Sequence, residues 1–85
     1  MASEIPVDAV VEVQSVGRGI VRYSGQTDFK VGKWIGVELD EPKGKNNGSV
    51  QGVEYFQCTM LHGIFVRPNQ VKLVEIPNVA VSYIF

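Results

Sequence analysis

Long apolar runs, cysteines and net charge are all scarce in this 85-residue chain, and each scarcity excludes something. No stretch approaches the roughly 18 to 20 consecutive apolar residues that a membrane-crossing helix needs. The opening MASEIPVD holds two acids and a proline and lacks the apolar segment of a secretory signal. The single cysteine, Cys58, rules out an internal disulfide framework and suits a reducing compartment. A formal net charge of -1 is unlike the strongly basic balance of domains that coat nucleic acid, so electrostatic recognition has to be local. We expect a cytoplasmic module with neither a membrane nor a nucleic-acid partner.

Residues for catalysis and metal binding are short as well. One histidine, one cysteine and no closely spaced carboxylate pair in an apolar setting leave little for a general base or nucleophile, so no enzyme is expected. Cys58 and His62 lie four apart, but two ligands rarely hold zinc, and the pair reads as a half-buried thiol and a turn histidine. The stretch GKNNGS, Gly44 to Ser49, is not a phosphate loop, because Asn46 follows Lys45 where that motif needs a hydroxyl and a helix. Asn47, Gly48 and Glu54 have the spacing of three calcium-loop positions, yet Lys43 and Lys45 would then stand where ligands are required. No metal and no cofactor is expected.

What the chain does contain is 45% apolar residues, enough for one small domain that buries about 60% of its unfolded surface. Glycine and proline interrupt every candidate helix, whereas short β-branched and aromatic runs recur between turn signals. Strands are expected over Ala9 to Val16, Gly19 to Tyr23, Trp34 to Leu39, Ser49 to Phe56, Gly63 to Arg67 and Val71 to Glu75. Such short strands joined by glycine-rich loops favour a mainly β fold, a small curled sheet or partly open barrel.

Alternation sorts the side chains. In WIGVEL, Ile35, Val37 and Leu39 share the core face, leaving Trp34, Gly36 and Glu38 opposite. In GIFVR, Ile64 and Val66 point inward while Phe65 and Arg67 share the outer face; in VKLVE, Val71 and Leu73 point inward and Lys72 outward. Trp34 and Phe65 then either floor an open groove or are covered by a loop as a satellite core. Lys30, Lys33, Lys43, Lys45 and Arg67 bracket the segments that carry Phe29, Trp34 and Phe65. An aromatic floor with a cationic rim suits a peptide end bearing both a ring and carboxylates. The alternative is a small β-barrel reader of nucleic acid or modified histone tails, with the same rings as stacking platforms or a cage.

The run GKWIGVELDEPKGKNNGSVQGVEYFQC followed by HGIFVR closely resembles a CAP-Gly domain, the glycine-rich module of cytoskeleton-associated proteins. HGIFVR and VQG are most like the large dynactin subunit; YFQC and Arg67-Pro68 also agree with the cytoplasmic linker proteins. The resemblance covers roughly Val7 to Glu75. It implies an SH3-like CAP-Gly fold over residues 9–75, with extensions at 1–8 and 76–85, that reads carboxy-terminal tails of the Glu-Glu-Tyr type. Such tails belong to α-tubulin in microtubules, to end-binding proteins and, in equivalent form, to linker-protein zinc knuckles, which places the module on microtubules and at their plus ends. Carried over by position, Lys45 and Asn46 meet carboxylates; Phe29, Trp34 and Phe65 line the cavity for the terminal ring; Arg67 and Gln70 lie at its edge. Gly44, Asn47 and Gly48 set the loop geometry. Two departures stand out. Asn47 replaces the aspartate usual in this loop, removing a carboxylate that would hold it, and QSVGRGIV is shorter than in many members, which should alter a hairpin and not the groove.

The final IPNVAVSYIF stands apart. Val79, Val81, Tyr83 and Phe85 alternate as in a strand, which suits addition to a sheet edge or pairing with another copy; the alternatives are a disordered tail and, separately, an aromatic end seated in a neighbour's groove.

Overall fold

A computed structural model describes residues 5–76; the alternating segment Val79 to Phe85 lies outside them. The fold is mainly β. Strands β1 (Val10–Val13), β2 (Gly17–Gln26), β3 (Lys33–Leu39), β6 (Gly63–Val66) and β7 (Val71–Glu75) form one antiparallel sheet in the order β6-β3-β2-β1-β7. Strands β4 (Ser49–Val50) and β5 (Val53–Glu54) make a separate hairpin, and a 3-10 turn over Pro68–Gln70 links β6 to β7. The sheet is curled but open, because its outer strands β6 and β7 do not pair with each other.

Its concave face holds the core: Ala9, Val11, Val13, Val21, Ile35, Val37, Leu39, Ile64 and Val66 are buried, as alternation in β3 and β6 requires. Each fully buried valine or isoleucine of this set contributes about 1.5 to 3 kcal/mol. Leu73 corrects the expectation for β7. It pairs with buried Val11 and so faces the same way, yet it is 44% exposed, because β7 is a sheet edge and no described element packs over it.

The single strand expected over Ser49 to Phe56 is also corrected: it is the β4-β5 hairpin, turning at Gln51 and Gly52, which both take positive φ (51° and 83°). That backbone suits a two-residue hairpin loop. Arg67 likewise falls outside its expected strand and caps the 3-10 turn, where its N–H donates to Gln70 Oε1 at 2.8 Å and the Gln70 N–H donates back to its carbonyl at 2.9 Å.

Candidate functional site

The outer face of β3 is built around a bare patch. Gly36 is flanked by Tyr23 on β2 and Phe65 on β6, and a Cβ there would lie 2.6 Å from Phe56 and 3.0 Å from Phe65. Its absence lets the rings close over the sheet. Phe65 packs against Tyr55 (ring centroids 5.3 Å), Phe56 (5.6 Å), Phe29 (5.2 Å) and Tyr23 (6.2 Å), and Phe29 packs against Trp34 at 5.3 Å. All these rings remain half-buried. The groove and the satellite core set out above are therefore one object, an aromatic cluster that leaves one side open.

On that side lies a groove of about 460 Å³. Phe29, Trp34, Lys45, Asn46, Phe65 and Gln70 line it, with Val50 of the β4-β5 hairpin and Gln14 and Val16 of the β1-β2 turn. Six of the seven expected peptide-contacting residues thus meet in one concavity. The seventh, Arg67, lies over Trp34 with its guanidinium carbon 3.9 Å from the ring centroid, and donates to the Lys33 carbonyl at 3.3 Å. The short β1-β2 turn, expected to leave the groove unaffected, in fact supplies part of its wall.

The loop from Gly44 to Gly48 owes its shape to the segment opposite. Gly44 N–H donates to the Leu61 carbonyl (2.6 Å), and Lys45 and Asn46 N–H both donate to the Gly63 carbonyl (2.7 and 3.1 Å). The Asn46 carbonyl accepts from Leu61 and Gly63 N–H, at 3.1 and 2.8 Å. Asn46 Oδ1 accepts the Gly48 N–H at 2.9 Å, which fixes the side-chain orientation and leaves its amide NH2 as the donor with no partner among the described residues. Asn47 Oδ1 accepts the Ser49 N–H at 3.2 Å, so the amide oxygen here supplies the acceptor that an aspartate would offer. Gly48, at φ 100°, brings its own backbone against the Phe56 carbonyl.

Lys45 is exposed and reaches the groove. Lys43 does not line it and pairs with Glu41 at 3.2 Å, leaving Lys45 as the loop's ammonium facing the rings. The Phe29 loop is held by side chains: Trp34 Nε1 donates to the Lys30 carbonyl at 3.0 Å, Thr27 Oγ1 to the same carbonyl at 3.4 Å, and Tyr55 Oη accepts the Asp28 N–H at 2.9 Å. The Tyr23 hydroxyl donates to the Gln26 carbonyl.

Cys58 and His62 do not form a pair. Burial, reinforced by the Glu38 carboxylate and opposed by Arg22, pushes the Cys58 thiol up, so it stays protonated and is a weak nucleophile. His62 Nδ1 bonds the Leu39 carbonyl at 2.8 Å, where it must act as donor, and among the described residues no group of His, Cys, Asp and Glu could hold a metal.

Leu61 is the strained residue of the site, exposed at φ 74°, a conformation unfavourable for a bulky side chain. Leu61→Gly is expected to raise stability by about 1 kcal/mol, or about 5 °C in Tm, by relieving that strain. Thermal unfolding of the two proteins checks it; a lower Tm would mean that the side chain itself contributes packing.

The CAP-Gly domain family model matches residues 7–71. Dynactin subunit 1 of Drosophila melanogaster is 61% identical over 57 residues, which is 67% of this chain and 4% of its own length. Tubulin-folding cofactor B of Bos taurus is 50% identical over 81 residues, 91% of this chain and 33% of its own length. The chain therefore spans a third or less of these relatives. Among solved structures, the CAP-Gly domain of human Kinesin-like protein KIF13B superposes with a TM-score of 0.77 at 44% identity, over 87% of this chain and 78% of that one. The Bik1 CAP-Gly domain with an ETF peptide from Bim1 superposes with a TM-score of 0.70 at 34% identity, over 75% and 78%.

Proposed function

The chain belongs to the CAP-Gly domain family, whose members are protein-interaction modules, and from that premise we propose that its groove captures the carboxy-terminal ends of acidic, aromatic-ending tails. One observation carries this reading: an ammonium (Lys45) and an amide NH2 with no partner among the described residues (Asn46) share a single concavity with Phe29, Trp34 and Phe65. A terminal ring packs among the side chains while carboxylates meet the donors, and the mostly apolar walls strengthen those contacts by excluding water. The ETF peptide on the Bik1 relative, an acid followed by threonine and a terminal aromatic, has this chemistry.

Residues 9–75 form the recognition module, with 1–8 and 76–85 as extensions. Gly44, Asn47 and Gly48 shape the loop, and Arg67 and Gln70 border the groove. The natural ligands are the α-tubulin tail on microtubules, the tails of end-binding proteins, and the equivalent ends of linker-protein zinc knuckles. A module with these partners works in the cytoplasm on the microtubule cytoskeleton, in plus-end tracking. Similarity to dynactin subunit 1 and to tubulin-folding cofactor B supports the tubulin assignment. A methyl-lysine cage is disfavoured, because Lys45 and Arg67 put cations where such a cage needs acids.

A peptide ending in Glu-Glu-Tyr is expected to bind with a Kd of about 1 μM, roughly -8 kcal/mol, and more weakly as ionic strength rises. Amidating its end or deleting the tyrosine should each weaken binding at least tenfold, the scale of one charge-assisted hydrogen bond or one buried ring. Equal titration curves for the three peptides would refute the tail-end mechanism.

A further inference from the structure

The two walls of the groove come from segments that make no direct backbone hydrogen bond to each other among the described residues. One is the Gly44–Gly48 loop with Lys45 and Asn46; the other is the Phe29 loop. Tyr55, which does not line the groove, touches both. Its N–H donates to the Gly48 carbonyl at 2.9 Å, and its hydroxyl oxygen accepts the Asp28 N–H at 2.9 Å from a residue far away in sequence. Its ring packs edge-on against Phe29 (5.8 Å) and Phe65 (5.3 Å).

The Phe29 loop is unusually dependent on this contact. Among the described residues, 27–32 make no backbone–backbone hydrogen bond outside the β2-β3 ladder. Thr27 Oγ1, from within the loop, and Trp34 Nε1, from β3, both donate to the Lys30 carbonyl. The Tyr23 hydroxyl holds the Gln26 carbonyl just before the loop and the Phe29 ring packs against Trp34 and Phe65, so among the described residues the Tyr55 bond to the Asp28 N–H is the hydrogen bond that holds the backbone next to Phe29.

We infer that Tyr55 is a positioning residue whose hydroxyl sets the distance of Phe29 from the Lys45–Asn46 wall, and through it the groove's preference for an aromatic over an aliphatic terminal side chain. The inference rests on reading the groove as a tail-end reader. An aromatic ring needs a wall held at one spacing to gain edge or offset contacts, whereas an aliphatic end tolerates a looser one. Losing the hydroxyl leaves the Tyr55 ring and the Gly48 bond in place and releases only the Asp28 N–H.

Tyr55→Phe tests this against two peptides that differ only in a terminal tyrosine or leucine. The wild-type domain must first bind the tyrosine-ended peptide more tightly, since failure at that step refutes the proposed function and not the role of Tyr55. The variant is then expected to lose about fivefold in affinity for the tyrosine-ended peptide, the scale of one neutral hydrogen bond, with the leucine-ended peptide unchanged. Faster hydrogen exchange at the Asp28 amide in the variant, with a Tm within a few degrees of wild type, should accompany it. Equal losses for both peptides, unchanged affinity for both, or an Asp28 amide already unprotected in the wild-type protein would overturn the inference.

Discussion

Gly48→Ala is expected to lower the thermal midpoint by about 15 °C, the largest stability effect of any single methyl group in the recognition loop. Two costs add at this position. A residue with a Cβ is strained at φ 100°, by about 1 to 3 kcal/mol, and the new methyl runs into the backbone carbonyl of Phe56, which cannot rotate away as a side chain would. Because the Gly48 carbonyl accepts from Tyr55 N–H and its own N–H donates to Asn46 Oδ1, the damage spreads to both sides of the groove. Thermal unfolding measures it; a shift of only a degree or two would mean that the loop can adopt another backbone at little cost.

Trp34→Ala and Lys45→Ala should both weaken tail binding strongly, and differ in what else they do. Trp34 is a wall of the groove, the platform for Arg67, a neighbour of Phe29 and an anchor of the Lys30 carbonyl. Its truncation should weaken binding by at least about 100-fold, the range of an interface hot spot, and lower the Tm as well. Lys45 is exposed, with no ion pair among the described residues, so Lys45→Ala should weaken binding by about 10- to 100-fold, as for a charge-assisted bond, while leaving the Tm unchanged. Peptide titration together with thermal unfolding separates the two; a large Tm loss in Lys45→Ala would make that lysine a structural residue.

How much of this is legible in the residues depends on whether local rules govern the position. The inward faces of β3 and β6 follow strand alternation because the two strands pair with each other in unbroken register, with their aliphatic residues on the core side. The same rule places Tyr23 on the wrong face. Val21 is buried and Tyr23 shares its parity, but the ladder slips between them, so Tyr23 pairs with Gly36 and joins the outer rings. A bulge of this kind leaves no mark in the hydrophobic pattern. Tyr55 and Phe56 escape notice for a related reason: the β4-β5 hairpin replaces the expected long strand, and the chain after it lays the Phe56 ring over Gly36 and the Tyr55 ring against Phe65. Gly52 in VQGV is the signal that should have divided it.

The GKNNGS loop shows the other limit. Its glycines and asparagines mark a turn, and the family resemblance implies carboxylate recognition. Neither indicates that Asn46 Oδ1 is already engaged by Gly48 N–H, which gives Asn46 a structural duty alongside any contact it makes with a ligand. Nor does sequence alone show that Asn47 keeps an acceptor on Ser49 N–H despite the lost carboxylate. Long-range hydrogen bonds to residues 61–63 decide the loop's shape, and these depend on tertiary placement.

The central claim is that one groove, between the aromatic face of β3 and the Gly44–Gly48 loop, receives the end of an acidic-aromatic tail. Backbone and indole NMR shifts on titration with a Glu-Glu-Tyr-ended peptide test it most directly. The account predicts that the largest changes fall on Lys45, Asn46, Gly48, Gln70 and the Trp34 indole N–H, with β7 unaffected. Changes centred on β7, or on a second hollow that Arg18, Leu39 and Lys43 line away from the rings, with the groove silent, would contradict it.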